Sequence, residues 1–142
     1  PADFEKNTAD FTALSVSDAV HGGAVACMLT WTSTSNQDLY QGYYSPVTGG
    51  SDVTFSFWAL DNDIGGRIRP AMTFYDADKG YLTNEYSSGY TVDSADWQQM
   101  TFTATAPPLA VYARAYVRMY DVSSDWDGEA SVAIDDWSLT AQ

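Results

Sequence analysis

Between Val111 and Tyr120 the chain reads VYARAYVRMY, and its residues fall into two interleaved sets. Val111, Ala113, Ala115, Val117 and Met119 are apolar, while Tyr112, Arg114, Tyr116, Arg118 and Tyr120 alternate phenol with guanidinium. Successive side chains of a β-strand point to opposite faces. The stretch therefore predicts a strand with one core face and one tyrosine–arginine face. Residues 67–75 repeat the scheme: Ile68, Pro70, Met72 and Phe74 point one way, and Arg67, Arg69, Thr73 and Tyr75 the other. In residues 53–60, Val53, Phe55, Phe57 and Ala59 are apolar, and Thr54, Ser56 and Trp58 share the opposite face. If these strands lie in one sheet, its outer face carries Trp58, Arg67, Arg69, Tyr75, Tyr112, Arg114, Tyr116 and Arg118.

The alternation recurs along the chain. It predicts strands near 11–17, 24–31, 38–45, 52–60, 67–75, 81–87, 98–105, 111–120 and 130–140. Turn-forming clusters separate them, among them His21-Gly22-Gly23, Asp61-Asn62-Asp63-Ile64-Gly65-Gly66, Pro107-Pro108 and Asp125-Trp126-Asp127-Gly128. No stretch of about ten residues shows the 3.6-residue period of an amphipathic helix. The fold expected is all-β, a two-sheet antiparallel β-sandwich, with residues 1–142 as one domain.

Composition sharpens this picture. Six Lys and Arg stand against nineteen Asp and Glu, for a net charge of −13. Such acidity disfavours nucleic acid and anionic membranes. Against that background the four arginines on two predicted strands look like a presented surface. Sugar rings pack C–H faces on Trp and Tyr, and arginine donates forked hydrogen bonds to hydroxyls or carboxylates. The plain alternative is a solvent-facing sheet with cross-strand Tyr–Arg stacking. Trp126 stands in a polar turn, where an exposed indole suits a ligand subsite. Trp97 and Trp137 lie in strand motifs and are expected in the core. The lone Cys27, within AVACML, is expected as a packed thiol.

Candidate catalytic chemistry is sparse. The one histidine, His21, lies in a turn, and no Gly-x-Ser-x-Gly nucleophile elbow is present. Asp76-Ala77-Asp78-Lys79-Gly80 begins like a calcium loop but lacks its later ligands, and reads as a β-turn.

Four local features point to a family. The chain opens with Asp3-Phe4-Glu5. His21-Gly22-Gly23-Ala24 leads into a strand. Asp96-Trp97-Gln98-Gln99-Met100-Thr101-Phe102-Thr103-Ala104 forms a Trp-led strand before Pro107. Ile134-Asp135-Asp136-Trp137-Ser138-Leu139 closes the chain. In this order they resemble the β-jelly-roll carbohydrate-binding modules of families four, nine, sixteen and twenty-two. The resemblance implies a jelly roll and a non-catalytic module of a longer, secreted polysaccharide-degrading enzyme. It also implies a structural calcium held by Asp3, Glu5, Gly23 and Asp136, with Asp135 as the competing aspartate. The ligand-binding set expected is Trp58, Arg67, Arg69, Tyr75, Tyr112, Arg114, Tyr116, Arg118 and Trp126. The arginines tilt the expectation toward a uronic-acid-bearing glycan, with a neutral β-glucan, mannan or xylan close behind. A small jelly-roll lyase and an adhesion domain are the rival readings. The isolated module is expected to be a monomer.

Overall fold

The computed structural model describes residues 4–6 and 10–142. Among them are eleven strands: β1 (Phe4–Lys6), β2 (Phe11–Val16), β3 (Ala26–Trp31), β4 (Gln37–Gln41), β5 (Ser45–Pro46), β6 (Asp52–Leu60), β7 (Arg67–Tyr75), β8 (Tyr81–Tyr86), β9 (Gln98–Thr105), β10 (Tyr112–Tyr120) and β11 (Ala130–Ala141). They form two antiparallel sheets. One runs β1-β4-β10-β7-β8, with β5 pairing the end of β10; the other runs β2-β3-β11-β6-β9. The sandwich expected from the alternation is what the chain builds. Strands β1 and β5 are additions, too short to show a period.

The inner faces interdigitate as the pattern requires. Val53, Phe55, Phe57 and Ala59 of β6 face Ile68, Met72 and Phe74 of β7 and Val117 and Met119 of β10, all of them buried. Burying each large side chain of this kind stabilises the fold by about 1.5–3 kcal/mol. Trp31 is buried as well. Gly66 makes room for it, because a Cβ there would sit 2.8 Å from the indole and 2.1 Å from the Ala130 Cβ. Burial pushes the Cys27 thiol up to about 11, which suits a packed core residue rather than a nucleophile.

Two placements differ from expectation. Trp58 does not share a sheet with the arginines. Its strand, β6, pairs with β11 and β9, while β7 and β10 belong to the other sheet. The alternation along a strand says which residues share its face but not which strands are neighbours. Trp97, expected in the core, lies just before β9 and is half-buried. Trp137 does pack against the core, touching Phe4, Phe55 and Phe57. It can do so because a bulge between Asp135 and Ser138, with Asp136 at φ 53°, resets the face of β11.

Candidate functional site

The register of β4, β10, β7 and β8 lays the outer face out in rows. Tyr116 stands opposite Tyr40 on one side and Ala71 on the other, and Ala71 stands opposite Tyr86. The small Ala71 lets rings close over it. Tyr116 stacks on Tyr40 at 4.2 Å and meets Tyr86 edge-on at 6.1 Å. The next rows are Asp38·Arg118·Arg69 and Arg114·Thr73·Asn84, followed by Tyr112 opposite Tyr75. Thr73 Oγ1 donates to Asn84 Oδ1 at 2.6 Å. Tyr44, from the β4–β5 connection, sets its ring against Tyr75 and Tyr112.

Cations lock these rings in place. The Arg118 guanidinium lies 4.9 Å from the Tyr86 centroid, and that of Arg114 5.0 Å from Tyr40 and 5.2 Å from Tyr44. Lys79, at the β7–β8 turn, stands 4.9 Å over Tyr44. Arg69 is enclosed by Tyr86, Tyr90 and Tyr120 at 4.8, 5.2 and 5.0 Å. The structure thus brings together most of the expected set and adds Tyr40, Tyr44, Tyr86, Tyr90 and Tyr120. Tyr120 already belongs to the alternation of VYARAYVRMY, and Tyr86 could have been found from its alternation with Asn84 in YLTNEY; nothing local ranks Tyr40, Tyr44 or Tyr90.

Carboxylates compensate most of the positive charge. Arg118 grips Asp38 through two bonds, Nε to Oδ1 at 2.6 Å and Nη2 to Oδ2 at 2.7 Å. The Asp38 carboxylate holds the Arg118 guanidinium well above its ordinary range. Arg114 donates to the Glu5 carboxylate at 2.7 Å and to the Gln41 carbonyl. Arg67 staples its own loop, donating to the Asp63 and Gly66 carbonyls with Asp61 3.5 Å away. Tyr116 is fully buried, so it forms the floor of the face rather than its contact surface. Burial pushes its hydroxyl far above the usual phenol range and, to a lesser degree, raises those of Tyr40 and Tyr75.

Trp126 stands apart from this face. It is half-buried and packs on the core, with its backbone close against Gly65. On the other sheet, Trp58 stacks on His21 at 4.0 Å with 13° between the planes, and Trp97 meets the same imidazole edge-on. His21 Nδ1 lies 2.6 Å from Asp136 Oδ2. Asp135 Oδ2 accepts the His21 and Gly22 N–H groups. Burial raises the Asp135 carboxyl, but these backbone bonds outweigh it and hold the group below its ordinary value. A Cβ at Gly22 would stand 3.0 Å from Asp136 Oδ1, so glycine permits this close approach.

Of the expected calcium ligands, Asp3 lies outside the described residues. Asp136 and the Gly22-Gly23 turn come together; Glu5 is drawn to Arg114 on the outer face of the first sheet. Among the described residues no three metal-binding side chains converge.

No family model matches the chain, and no curated protein matches it. Solved structures do. One is the Clostridium thermocellum endo-1,4-β-D-xylanase 10B fragment of a family 22 carbohydrate-binding module and its catalytic module, complexed with xylohexaose. It has a TM-score of 0.73 at 15% identity, over 99% of this chain and 26% of that one. Another is bacteriophage CBA120 tailspike protein 4, with a TM-score of 0.72 at 12% identity, over 97% of this chain and 19% of the other. The chain therefore spans only a fifth to a quarter of those proteins. It covers 83% of the family 22 xylan-binding domain from Paenibacillus barcinonensis Xyn10C, at 9% identity and a TM-score of 0.68. Likenesses at such identities speak for the fold, and the fold they show is the β-sandwich of carbohydrate-binding modules.

Proposed function

We propose that the chain is a non-catalytic polysaccharide-binding module that holds its glycan on the outer face of the β4-β10-β7-β8 sheet. The observation that carries this is the preformed face itself: half-buried phenol rings fixed by guanidinium groups. Ordering the rings before binding lowers the entropy cost of stacking a sugar on them. Asp38, Glu5 and Asp61 offset the charge of three of the arginines. That balance favours a largely neutral glycan of the β-glucan, mannan or xylan type over a polyuronate. A xylan-binding domain among the similar structures makes xylan the first polymer to try.

The module works by tethering. Joined to a secreted carbohydrate-active enzyme, it would raise that enzyme's local concentration on the polymer. Calcium belongs to the same proposal, with Asp136 and the Gly23 carbonyl as ligands, completed by Asp3. Hard oxygen donors of this kind suit calcium, and the ion would tie the ends of the fold together. The Glu5 side chain is not available to it while paired with Arg114.

Affinity electrophoresis through soluble xylan, mannan, β-glucan, alginate and pectin tests the reading. Retardation by one of the neutral polymers, reduced by Tyr40→Ala and Tyr112→Ala, is expected. Retardation that neither substitution changes would move the glycan to another surface.

A further inference from the structure

Resting on that reading, we infer that the Arg69 end of the face is a subsite for an isolated carboxylate, a uronic-acid branch carried by an otherwise neutral chain. The argument starts from the register. Arg69 stands directly opposite Arg118 across β7 and β10. Like charges at directly opposed positions repel and destabilise a sheet. On the Arg118 side the repulsion is relieved by the two-bond grip on Asp38. Arg69 has no carboxylate partner among the described residues. Its bonds run to neutral acceptors: Nη1 to the Ser87 carbonyl at 3.2 Å and Nη2 to the Tyr120 hydroxyl at 2.7 Å.

The setting makes that lack of compensation costly. Arg69 is half-buried, its Nε is sealed from solvent without an acceptor, and three phenol rings surround the guanidinium. Rings attract the cation through their quadrupoles but supply no counter-charge. Nineteen acids are present in the chain, and the other strand arginines each have one alongside. A guanidinium held without a counter-ion at the end of a binding face is completed by an anion arriving with the ligand. Each Nη uses one of its two N–H groups in the bonds above, so donors remain for a carboxylate.

The test uses three probes on the folded wild-type protein: a neutral xylo-oligosaccharide, the same chain with one glucuronic acid branch, and the branched chain after carboxyl reduction. Titration calorimetry at low salt should show the acidic branched probe binding about tenfold or more tighter than its reduced form, the scale of a hydrogen bond to a charged group. Added salt should erode that advantage. Arg69→Gln should bring the ratio of the two affinities to about one. Equal binding of the acidic and reduced probes by the wild type would overturn the subsite while leaving glycan binding intact. Binding of none of the three would sink both the subsite and xylan recognition. The wild-type comparison decides the matter even if Arg69→Gln does not fold.

Discussion

On the outer face of β6 and β9, Thr54 meets Thr103, Ser56 meets Thr101, and Thr105 donates to Asp52. On the outer face of β7 and β10, Tyr112 meets Tyr75, Tyr116 meets Ala71 and Arg118 meets Arg69. Both faces are antiparallel strand pairs over one shared core, so the backbone does not make them differ. The threonine face satisfies itself with short hydroxyl contacts such as Thr54–Thr103 at 2.8 Å, and its β-branched residues suit a pleated surface. The tyrosine face spends large side chains in covering one another, to the point that Tyr116 and Thr73 are buried on the outside of a sheet. A solvent-facing sheet needs only the first solution. The second makes sense where a flat ligand completes the layer.

The largest expected effect tests whether the tyrosine face is a built structure. Arg118→Ala would leave the buried Asp38 carboxylate without its guanidinium, a loss of about 3–5 kcal/mol in denaturant unfolding. A loss under about 1 kcal/mol would reduce the pair to an ordinary surface bridge.

Calcium comes next, and it concerns the edge where the threonine-faced sheet meets the His21–Gly23 turn. With free calcium at a hundred times its dissociation constant, chelation should cost about 2.7 kcal/mol of stability. Asp136→Ala should remove the response. An unchanged melting curve after verified metal loss would delete the ion from the proposal.

Asp61 links the two regions, since it ends the core-facing run of β6 but serves the loop beside Arg69. Its side chain is fully buried and accepts the Thr91 hydroxyl at 2.5 Å, next to Tyr90. Asp63 and Arg67 are the charged groups facing it. Burial dominates and pushes its carboxyl up to about 6, against 3.8 unperturbed. The folded state thus prefers the protonated form. The resulting stability is fully present below about pH 3.8 and is lost as pH rises through about 6. Unfolding midpoints should gain on the order of 2 kcal/mol for this group between pH 7 and pH 4, and Asp61→Asn should flatten that part of the profile. The same slope in Asp61→Asn would assign it elsewhere.

For binding, the comparison is direct. Tyr40→Ala or Tyr112→Ala should weaken glycan affinity by about 1–2 kcal/mol through lost stacking area. Trp58→Ala, on the other sheet, should leave it unchanged. The reverse pattern would return the site to Trp58, where alternation along single strands first put it.

That misplacement shows where sequence reading stops. The faces of β7 and β10 could be read residue by residue, because strand side chains alternate whatever lies next door. Trp58 follows the same alternation on β6, yet which sheet β6 joins depends on long-range pairing with β11 and β9. The ion pairs were out of reach for the same reason: Arg118 finds Asp38 eighty residues away, and Arg114 finds Glu5 at 109. A basic strip in the sequence became, once folded, a mostly neutral one. Trp126 looked exposed because its neighbours are polar, but Gly65 lets its backbone approach closely enough for the indole to reach the core. The closing Ile134-Asp135-Asp136-Trp137 motif was legible as a strand. The bulge that turns Trp137 inward was not, since Asp136 carries no glycine-like signal for its positive φ.

The smallest expected effect probes the plain face on its own terms. Thr54 and Thr103 stand opposite each other, exposed or half-buried, and share one hydroxyl contact. Replacing both by valine keeps the branched shape and strand preference while removing that bond. An exposed hydroxyl pair exchanges readily with water, so its net worth is at most about 0.5–1 kcal/mol. The double variant should unfold within about 0.5 kcal/mol of wild type and bind glycan as tightly. A large loss of stability would mean the hydroxyl ladder matters more to the sheet than its solvent contact suggests. Loss of glycan binding at unchanged stability would be more telling: it would put the ligand on the threonine face and leave the tyrosine–arginine face as a structural layer.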